Sequence, residues 1–133
     1  MLHRLTDLPL KYLHVTPPHP GRGLLRKLAQ DIVFRDSPHY TLVPDVNGFR
    51  MLVATADRGI GRELRRYHVH EPICTDLFPS MVSAGMNVLD IGANIGYYAL
   101  LAARYVAETG RVVAVEPHPS NYALLRHNIR LNR

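Results

Sequence analysis

The sequence contains a single cysteine, Cys74, and no tryptophan. One cysteine cannot form an intramolecular disulfide, and the opening MLHRLTDLPL lacks the continuous apolar segment of a secretory signal. These two absences predict a cytoplasmic protein. Long apolar runs are also missing, because the longest, YYALLAARYVA, is about half of what a membrane-spanning helix needs and contains Arg104. We therefore expect no membrane span.

Positive charge comes almost entirely from arginine, with 14 Arg and 2 Lys against 11 acidic residues and a formal net charge of +5. A basic balance raises the question of nucleic acid binding. The charge is nevertheless spread along the chain, with 11 basic and 8 acidic residues in 1–87 and 5 and 3 in 88–133. A surface that follows a phosphate backbone concentrates its charge instead, so the sequence predicts no nucleic acid partner.

Residues 1–85 predict a lead-in of short helices and a hairpin. Three prolines in TPPHPG (16–21) favour extended or turn backbone, and residues 21–34 could form one short amphipathic helix. In HYTLVPDVNGFRMLVA, two short apolar runs flank DVNG, whose residue types tolerate the left-handed backbone of a tight turn. This pattern predicts a hairpin.

A short helix should follow over RGIGRELRRY. Asp57 is placed to act as its N-cap, and Ile60, Leu64 and Tyr67 recur at helical spacing. Three arginines remain for the other face, which we interpret as solvated: Arg62, Arg65 and Arg66.

A second helical stretch should begin at Pro72, directly after Glu71, and run through Phe78, with Pro79 limiting its regularity. The segment HVHEPIC at its start contains two histidines, an acid and the cysteine. Two histidines without a further cluster of ligands are typical of a surface loop, so we predict no metal site.

Residues 86–133 change to an alternating pattern of strands and helices. MNVLDIG and RVVAVEP are continuous apolar runs typical of strands buried on both faces. The segment between them, IGYYALLAARYVAETG, is apolar nearly all round, and PSNYALLRHNIRLN has Tyr122, Leu125 and Ile129 at inward helical positions. Strand, helix, strand, helix predicts an α/β fold with a parallel sheet.

The turn after the first of these strands, VLDIGANIGYY, contains Asp90, Gly92 and Gly96. In a parallel α/β unit this turn lies at the carboxyl edge of the sheet, where glycine lets a ligand approach the backbone. A dinucleotide loop would read G-x-G-x-x-G and present N–H groups to a pyrophosphate. Here the glycines are four residues apart, and Asp90 would repel a nearby phosphate by several kcal/mol, as a rough estimate, if poorly screened.

A cationic ligand reverses the sign of this electrostatic argument. S-adenosylmethionine has a sulfonium, an ammonium group and no phosphate, so Asp90 can help to orient it. Glu116 ends the second strand, 24 residues after Gly92, where an acid can accept hydrogen bonds from ribose hydroxyls. Two acids and two glycines therefore predict S-adenosylmethionine as the cofactor.

The same residues resemble a known family. VLDIGANIGYYALLAAR followed by GRVVAVEPHPSNYALLRHNIRLN is similar to the opening half of the FkbM family of S-adenosylmethionine-dependent methyltransferases, in which D-x-G-A-N-x-G-Y-x and E-P-x-P-x-N/E-x-x-x-L-x-x-N-x-x-x-N recur. The likeness is close over residues 86–132 and weaker over ADRGIGRELRRYHVHEPICTDLF. It implies a class I methyltransferase (Rossmann-like) fold, with residues 86–133 as the first half of the cofactor-binding domain. It also implies methyl transfer to a hydroxyl oxygen of a sugar, polyketide or similar metabolite.

The resemblance, carried over by position, assigns eight residues to the cofactor: Asp90, Gly92, Ala93, Asn94, Gly96, Glu116, Pro117 and His118. Those before Gly96 would lie near the methionine moiety, Glu116 near the ribose, and the last two beside the adenine. Glu71 and Thr75 would border the site. No residue can be assigned as a catalytic base, and the predicted partner is a small molecule with a hydroxyl group.

The predicted sheet has only two parallel strands, which would leave strand edges exposed and bury little apolar area. We therefore expect the chain to be the N-terminal part of a longer methyltransferase, with little or no activity alone. Two alternatives stay open. The chain could be a non-catalytic binding module completed by a partner chain, or a nicotinamide-binding Rossmann domain.

Overall fold

The computed structural model describes residues 38–133. The proline-rich segment at 16–21 and the predicted helix at 21–34 lie outside the described residues. Along the described part of the chain the elements are β1 (Tyr40–Val46), β2 (Phe49–Ala54), α1 (Ile60–Tyr67), α2 (Pro72–Met81), β3 (Asn87–Ile91), α3 (Tyr97–Val106), β4 (Arg111–Val115) and α4 (Pro119–Leu131).

Strands β1 and β2 form the predicted hairpin. The two residues between them, Asn47 and Gly48, have φ values of 51° and 79°. Positive φ at both central positions is what a two-residue hairpin turn requires. The carboxylate of Asp45 accepts a hydrogen bond from the Gly48 N–H at 2.8 Å, which stabilises the turn further.

Helix α1 begins later than predicted, because its N-cap is Gly59 rather than Asp57. The Asp57 carboxylate still satisfies the helix start, since it accepts the N–H groups of Gly59 at 2.7 Å and Gly61 at 3.0 Å. The prediction of Asp57 at the N-cap position is therefore wrong, although its carboxylate serves the unpaired N–H groups that a cap serves.

The two faces of α1 differ from the prediction at two side chains. Ile60 and Leu64 are buried as expected, whereas Tyr67 is 58% exposed. Arg65 is not simply solvated, because its guanidinium donates to the carbonyl oxygens of Ala54 at 2.7 Å and Asp57 at 3.0 Å. Arg65 therefore ties α1 to the end of β2.

Helix α2 starts at Pro72 as predicted and continues past Pro79 to Met81. Pro79 lies in the last turn, so it removes a single N–H donor close to the helix end. The apolar side chains of α2 are exposed at Ile73, Leu77 and Met81.

Strands β3 and β4 pair in parallel, with Asn87 opposite Arg111 and Ile91 opposite Val115. Helix α3 connects them and contacts both strands. The predicted fold class is therefore confirmed as an α/β arrangement with a parallel sheet and helices, consistent with part of a Rossmann-like methyltransferase fold.

One face of this sheet is covered and the other is not. On the covered face Val112 and Ala114 pack against Ala93, Ala99 and Leu125. The opposite face exposes apolar side chains, namely Leu89, Ile91, Val113 and Val115, of which Ile91 is 77% exposed. The prediction of strands buried on both faces is wrong for residues 38–133, because no described element lies over the second face.

Helix α4 turns a slightly different face inward than predicted. Leu125 is buried, but Tyr122 is 44% exposed, and the other fully buried positions are Leu124 and Asn128. The inward stripe is therefore shifted away from Tyr122 toward an asparagine.

Asn128 of α4 and Asn132, the residue that caps the C-terminal end of this helix, attach the hairpin to this unit. Asn128 Oδ1 accepts the Leu52 N–H at 2.7 Å and its Nδ2 donates to the Leu52 carbonyl at 3.1 Å. Asn132 makes the same pair of bonds with the backbone of Arg50, at 2.9 and 2.8 Å. The side-chain amides thus satisfy backbone groups of β2 that would otherwise remain unpaired at a strand edge.

No helix between residues 38 and 133 combines the length and apolar character needed to cross a membrane.

Candidate cofactor site

The loops that follow β3 and β4 are joined by backbone hydrogen bonds. The N–H groups of Gly92 and Ala93 both donate to the Val115 carbonyl, at 2.8 and 3.0 Å. The residues at the ends of the two strands therefore meet at one edge of the sheet, as the sequence predicts.

Glu116 spans the two loops. Its Oε2 accepts the Asn94 N–H at 2.9 Å, and its Oε1 accepts the His118 N–H at 2.8 Å. Asn94 has a left-handed backbone with φ 50°, an uncommon conformation that this hydrogen bond helps to hold. Each carboxylate oxygen has two lone pairs, so Glu116 can shape the loops and still accept a hydrogen bond from a ligand hydroxyl.

Asp90 has a shielded carboxylate oxygen with no partner. Its Oδ2 is buried and accepts no hydrogen bond from the described residues. Burial raises the pKa of Asp90, and the negative charge of Glu116 raises it further. A shielded acceptor without a donor needs an explanation, and a ligand that brings a donor or a positive charge would supply one.

The two glycines of the loop serve different purposes. A Cβ added at Gly92 (φ 79°) would have no neighbour within 4 Å, whereas one added at Gly96 (φ 96°) would lie 2.7 Å from Leu125 Cδ1. Ala93 is also buried, and its side chain belongs to the core. Gly92 therefore leaves open space for a ligand, while Gly96 is required for packing of the loop against α4.

Asn128 also reaches this loop, which sequence reasoning did not find. Besides its bonds to β2, its Nδ2 donates to the Ile95 carbonyl at 2.9 Å. The sequence carried two signals for it. Asn128 and Asn132 are the asparagines of the N-x-x-x-N that ends the recurring family segment, and Asn128 lies close to the inward stripe of an amphipathic helix, where a buried amide must find partners. Asn128 thus holds the second half of the loop, at Ile95, through a hydrogen bond from α4.

A second polar group lies at the first turn of α3. We call it the tyrosine cluster: Glu63, His70, Glu71, Thr75, Tyr97 and Tyr98. From the hairpin turn, Asn47 Nδ2 donates to Tyr97 Oη of this cluster at 2.7 Å, and Tyr97 Oη is 2.9 Å from Thr75 Oγ1. Since the Thr75 hydroxyl donates to the His70 carbonyl at 2.6 Å, it must accept from Tyr97. The chain of hydrogen bonds therefore has one direction.

Two carboxylates of the tyrosine cluster approach the His70 ring. Glu63 Oε2 is 2.6 Å from His70 Nδ1, and Glu71 Oε1 is 3.9 Å from His70 Nε2. Tyr98 donates to Glu71 Oε2 at 2.9 Å. Burial, and next the hydrogen bond to Glu71, raise the pKa of Tyr98, so its phenol remains a donor.

The structure brings the assigned cofactor residues together in part. Gly92, Asn94, Glu116 and His118 meet where the two strands end, as the hydrogen bonds above describe. Asp90 lies close enough to Glu116 for the charge of Glu116 to raise the pKa of Asp90, and Pro117 is exposed between Glu116 and His118. Ala93 and Gly96 can meet a ligand only through their backbone.

The two bordering residues, Glu71 and Thr75, contact the start of α3 through Tyr98 and Tyr97. Across residues 38–133, no set of three or more His, Cys, Asp or Glu side chains is arranged to hold a metal ion.

Comparison with known proteins identifies methyltransferases. Residues 76–133 match the family described as the TRM5/TYW2 methyltransferase domain. The chain is also similar to the protein-L-isoaspartate O-methyltransferases of two strains of Methanococcus maripaludis, S2 and C6, with 24% and 25% identity over 100 residues. These alignments cover 74% of this chain and 46% of each relative, so the chain spans about half the length of the curated relatives it matches.

These similarities support the prediction of an S-adenosylmethionine methyltransferase, and hence of an enzyme. They do not confirm the FkbM family.

Proposed function

We propose that this chain is the cofactor-binding part of an S-adenosylmethionine-dependent methyltransferase. The observation that carries the proposal is the shielded Oδ2 of Asp90, which accepts no hydrogen bond from the described residues, two positions before Gly92, where an added Cβ would meet no atom within 4 Å. A cationic group beside Asp90 would favour the ionised carboxylate and offset the cost of its burial and of the nearby Glu116 charge. A phosphate in the same place would repel the ionised Asp90 carboxylate and so increase the cost of its burial and of the negative charge around it.

The residues fit the parts of this cofactor. When bound, S-adenosylmethionine supplies a methyl group on a positively charged sulfur, which is open to displacement by a nucleophile. Asp90 would orient the amino-acid end, and the backbone at Gly92 and Asn94 would lie against it. Glu116 would accept hydrogen bonds from the ribose with its remaining lone pairs, and His118 would border the adenine together with Pro117.

For the acceptor we propose a hydroxyl group of a sugar, polyketide or similar metabolite, as the FkbM resemblance implies. The relatives named above favour a second candidate, the carboxylate of an isoaspartyl residue in a protein. The two acceptors differ chemically, because an alcohol must lose a proton as it is methylated, whereas a carboxylate is already ionised at neutral pH.

Calorimetry tests the cofactor. S-adenosylhomocysteine should bind, and NAD should not bind. The experiment uses this chain and, where the gene encodes one, the longer natural protein. Asp90→Asn should weaken the binding of S-adenosylmethionine more than that of S-adenosylhomocysteine, because only the former carries the sulfonium charge in addition to the ammonium group. Binding of NAD without binding of either S-adenosyl compound would refute the proposal.

The acceptor class requires a transfer assay. Radiolabelled S-adenosylmethionine is offered with methyl α-D-glucopyranoside, catechol or an isoaspartyl peptide. Methyl transfer to a hydroxyl compound supports the first candidate, and transfer to the peptide alone supports the second. Tight cofactor binding by the longer natural protein with no transfer to any methyl acceptor would favour the non-catalytic binding module.

A further inference from the structure

We propose that Glu63 and His70 form the dyad that takes the proton from the methyl acceptor. The inference rests on the proposed function and adds to it a base and an acceptor class. It is carried by the geometry of one imidazole ring held between two elements, next to the helix that follows the cofactor loop.

The hydrogen bond between the two side chains fixes the state of the ring. An ionised carboxylate only accepts hydrogen bonds, so the 2.6 Å contact between His70 Nδ1 and Glu63 Oε2 places a hydrogen on Nδ1. In the neutral ring the lone pair is then on Nε2. This nitrogen makes no hydrogen bond to the described residues, since Glu71 Oε1 at 3.9 Å lies beyond hydrogen-bond distance. Nε2 is therefore available as a base.

The ring lies at the end of α3 that carries the cofactor loop. Tyr97 and Tyr98 are the first two residues of α3 and directly follow Gly96. Helix side chains lean toward the N-terminus, which directs both tyrosine rings to the loop end of the helix. The His70 ring contacts Tyr97 edge-on at 5.6 Å and Tyr98 at 6.2 Å between centroids. This contact places His70 beside the first turn of α3, at the end of the helix that follows the cofactor loop.

The proton and the electrons balance in this arrangement. As the acceptor oxygen forms its bond to the methyl carbon, the bond from carbon to sulfur breaks and its electron pair stays on sulfur, which releases neutral S-adenosylhomocysteine. The hydroxyl proton moves to His70 Nε2. The resulting imidazolium is stabilised by Glu63 at Nδ1 and by the nearby Glu71, and it returns the proton to water, since the His70 side chain is 21% exposed.

The same charges select the acceptor class. Two carboxylates, Glu63 and Glu71, flank the ring, and an anionic acceptor placed beside them would be repelled. A carboxylate acceptor would also need no base. A neutral hydroxyl compound needs the base and meets no repulsion, so the dyad favours hydroxyl over isoaspartyl carboxylate. Within residues 38–133, the other titratable side chains in contact with the ring are those of Tyr97 and Tyr98 of α3. Cys74 of α2 lies close to the Tyr98 phenol.

Chemical modification tests the position of His70 Nε2, and this test does not require the methyl acceptor to be known. Diethyl pyrocarbonate acylates unprotonated imidazole, and peptide mass spectrometry gives the rate at each histidine. Sinefungin carries an amine where the cofactor carries its methyl group, whereas S-adenosylhomocysteine carries nothing there. At saturation, sinefungin should slow modification of His70 more than S-adenosylhomocysteine does.

The matched control in this experiment is His68. His68 is exposed, lies two residues before His70 in the chain, and its Nδ1 is hydrogen-bonded to the Asp45 carbonyl oxygen. The rate of modification of His68 should not change with either compound. Unchanged modification of His70 under both saturating ligands would overturn the inference. Failure of both ligands to bind in calorimetry would instead refute the proposed function.

Kinetics test the base itself, with methyl α-D-glucopyranoside and catechol as the hydroxyl probes. The wild-type kcat/KM should rise with pH, because only an Nε2 that carries a lone pair can take the proton of the hydroxyl. His70→Gln should lower kcat/KM by about 100-fold or more, the usual contribution of a general base, and abolish the rise. Glu63→Gln, which keeps a hydrogen-bond acceptor, should cause a smaller loss, and His68→Gln should cause none.

A purely structural role predicts a different result. If His70 only anchored its segment, His70→Gln would lower the melting temperature and leave the pH profile of the folded enzyme unchanged. A folded His70→Gln enzyme that keeps the wild-type rate and its rise with pH would overturn the inference.

Discussion

Replacement of Asn128 by leucine should be among the most damaging single changes in the described part of the chain. Leucine has nearly the same shape but no polar atoms, so three backbone groups lose their partners: the N–H and carbonyl of Leu52 and the carbonyl of Ile95. Asn128 is completely buried, and Leu52 and Ile95 are 5% and 2% exposed, so water cannot readily replace the lost bonds. A buried group left unsatisfied costs about 1–3 kcal/mol.

Three such groups with partial relaxation predict a loss of about 3–5 kcal/mol in the free energy of unfolding, a large share of the total for a small domain. Asn132→Leu is the matched control. Asn132 also makes three hydrogen bonds, two to Arg50 and one to the Asn128 carbonyl, but Arg50 is exposed, so water can take over. We expect a loss of about 1 kcal/mol there.

Urea unfolding followed by circular dichroism measures both variants. Similar m-values would show that the two transitions expose similar areas and can be compared. Equal losses for the two variants, or a loss below about 1 kcal/mol for Asn128→Leu, would refute the reasoning that burial of the orphaned groups decides the cost.

Four further changes test the loop and its surroundings. Asp90→Asn should stabilise the ligand-free protein at neutral pH: the raised pKa means that the folded state holds its proton more tightly, so stability falls as pH rises through that pKa, and asparagine removes the fall. Unfolding at a series of pH values should show this. Gly92→Ala and Gly96→Ala should each cost about 1–2 kcal/mol of backbone strain by thermal unfolding, because both residues have positive φ. Gly96→Ala should cost about 1–3 kcal/mol more because of overpacking against Leu125, whereas Gly92→Ala should mainly weaken S-adenosylhomocysteine binding. Tyr97→Phe should lower stability by about 1–2 kcal/mol, because it breaks the hydrogen-bond chain from the hairpin turn.

The sequence was informative where local rules decide the structure. Apolar runs predicted both parallel strands, and the turn residues Asn47 and Gly48 predicted the hairpin, because few other residues adopt positive φ at both positions. Asp90 and Glu116 could be assigned to one sheet edge because parallel strands end on the same side. Their roles toward the cofactor remain a proposal.

The sequence was less informative where distant residues decide. Apolar content in β3 and β4 predicted burial on both faces, but Ile91 and Val115 are exposed because burial depends on which elements lie over the sheet. The pairing of Glu63 with His70 joins α1 to the segment ahead of α2, and no periodicity predicts which histidine meets which carboxylate. The role of Asn128 was missed, although the recurring segment contains this residue, because neither the motif nor the helix pattern shows which backbone groups a buried amide will meet.

The spacing of Asn128 in α4 and Asn132 at its C-cap also determines how the hairpin is aligned. Positions four apart on a helix are separated by about 6 Å along its axis, and positions two apart on a strand by about 6.6 Å. Asn128 and Asn132 can therefore form hydrogen bonds with Leu52 and Arg50 at the same time. A one-residue slip of β2 would present backbone groups that point toward β1 instead. The hydrogen bonds from Asn128 and Asn132 thus fix the register of β2 from outside the ladder between β1 and β2.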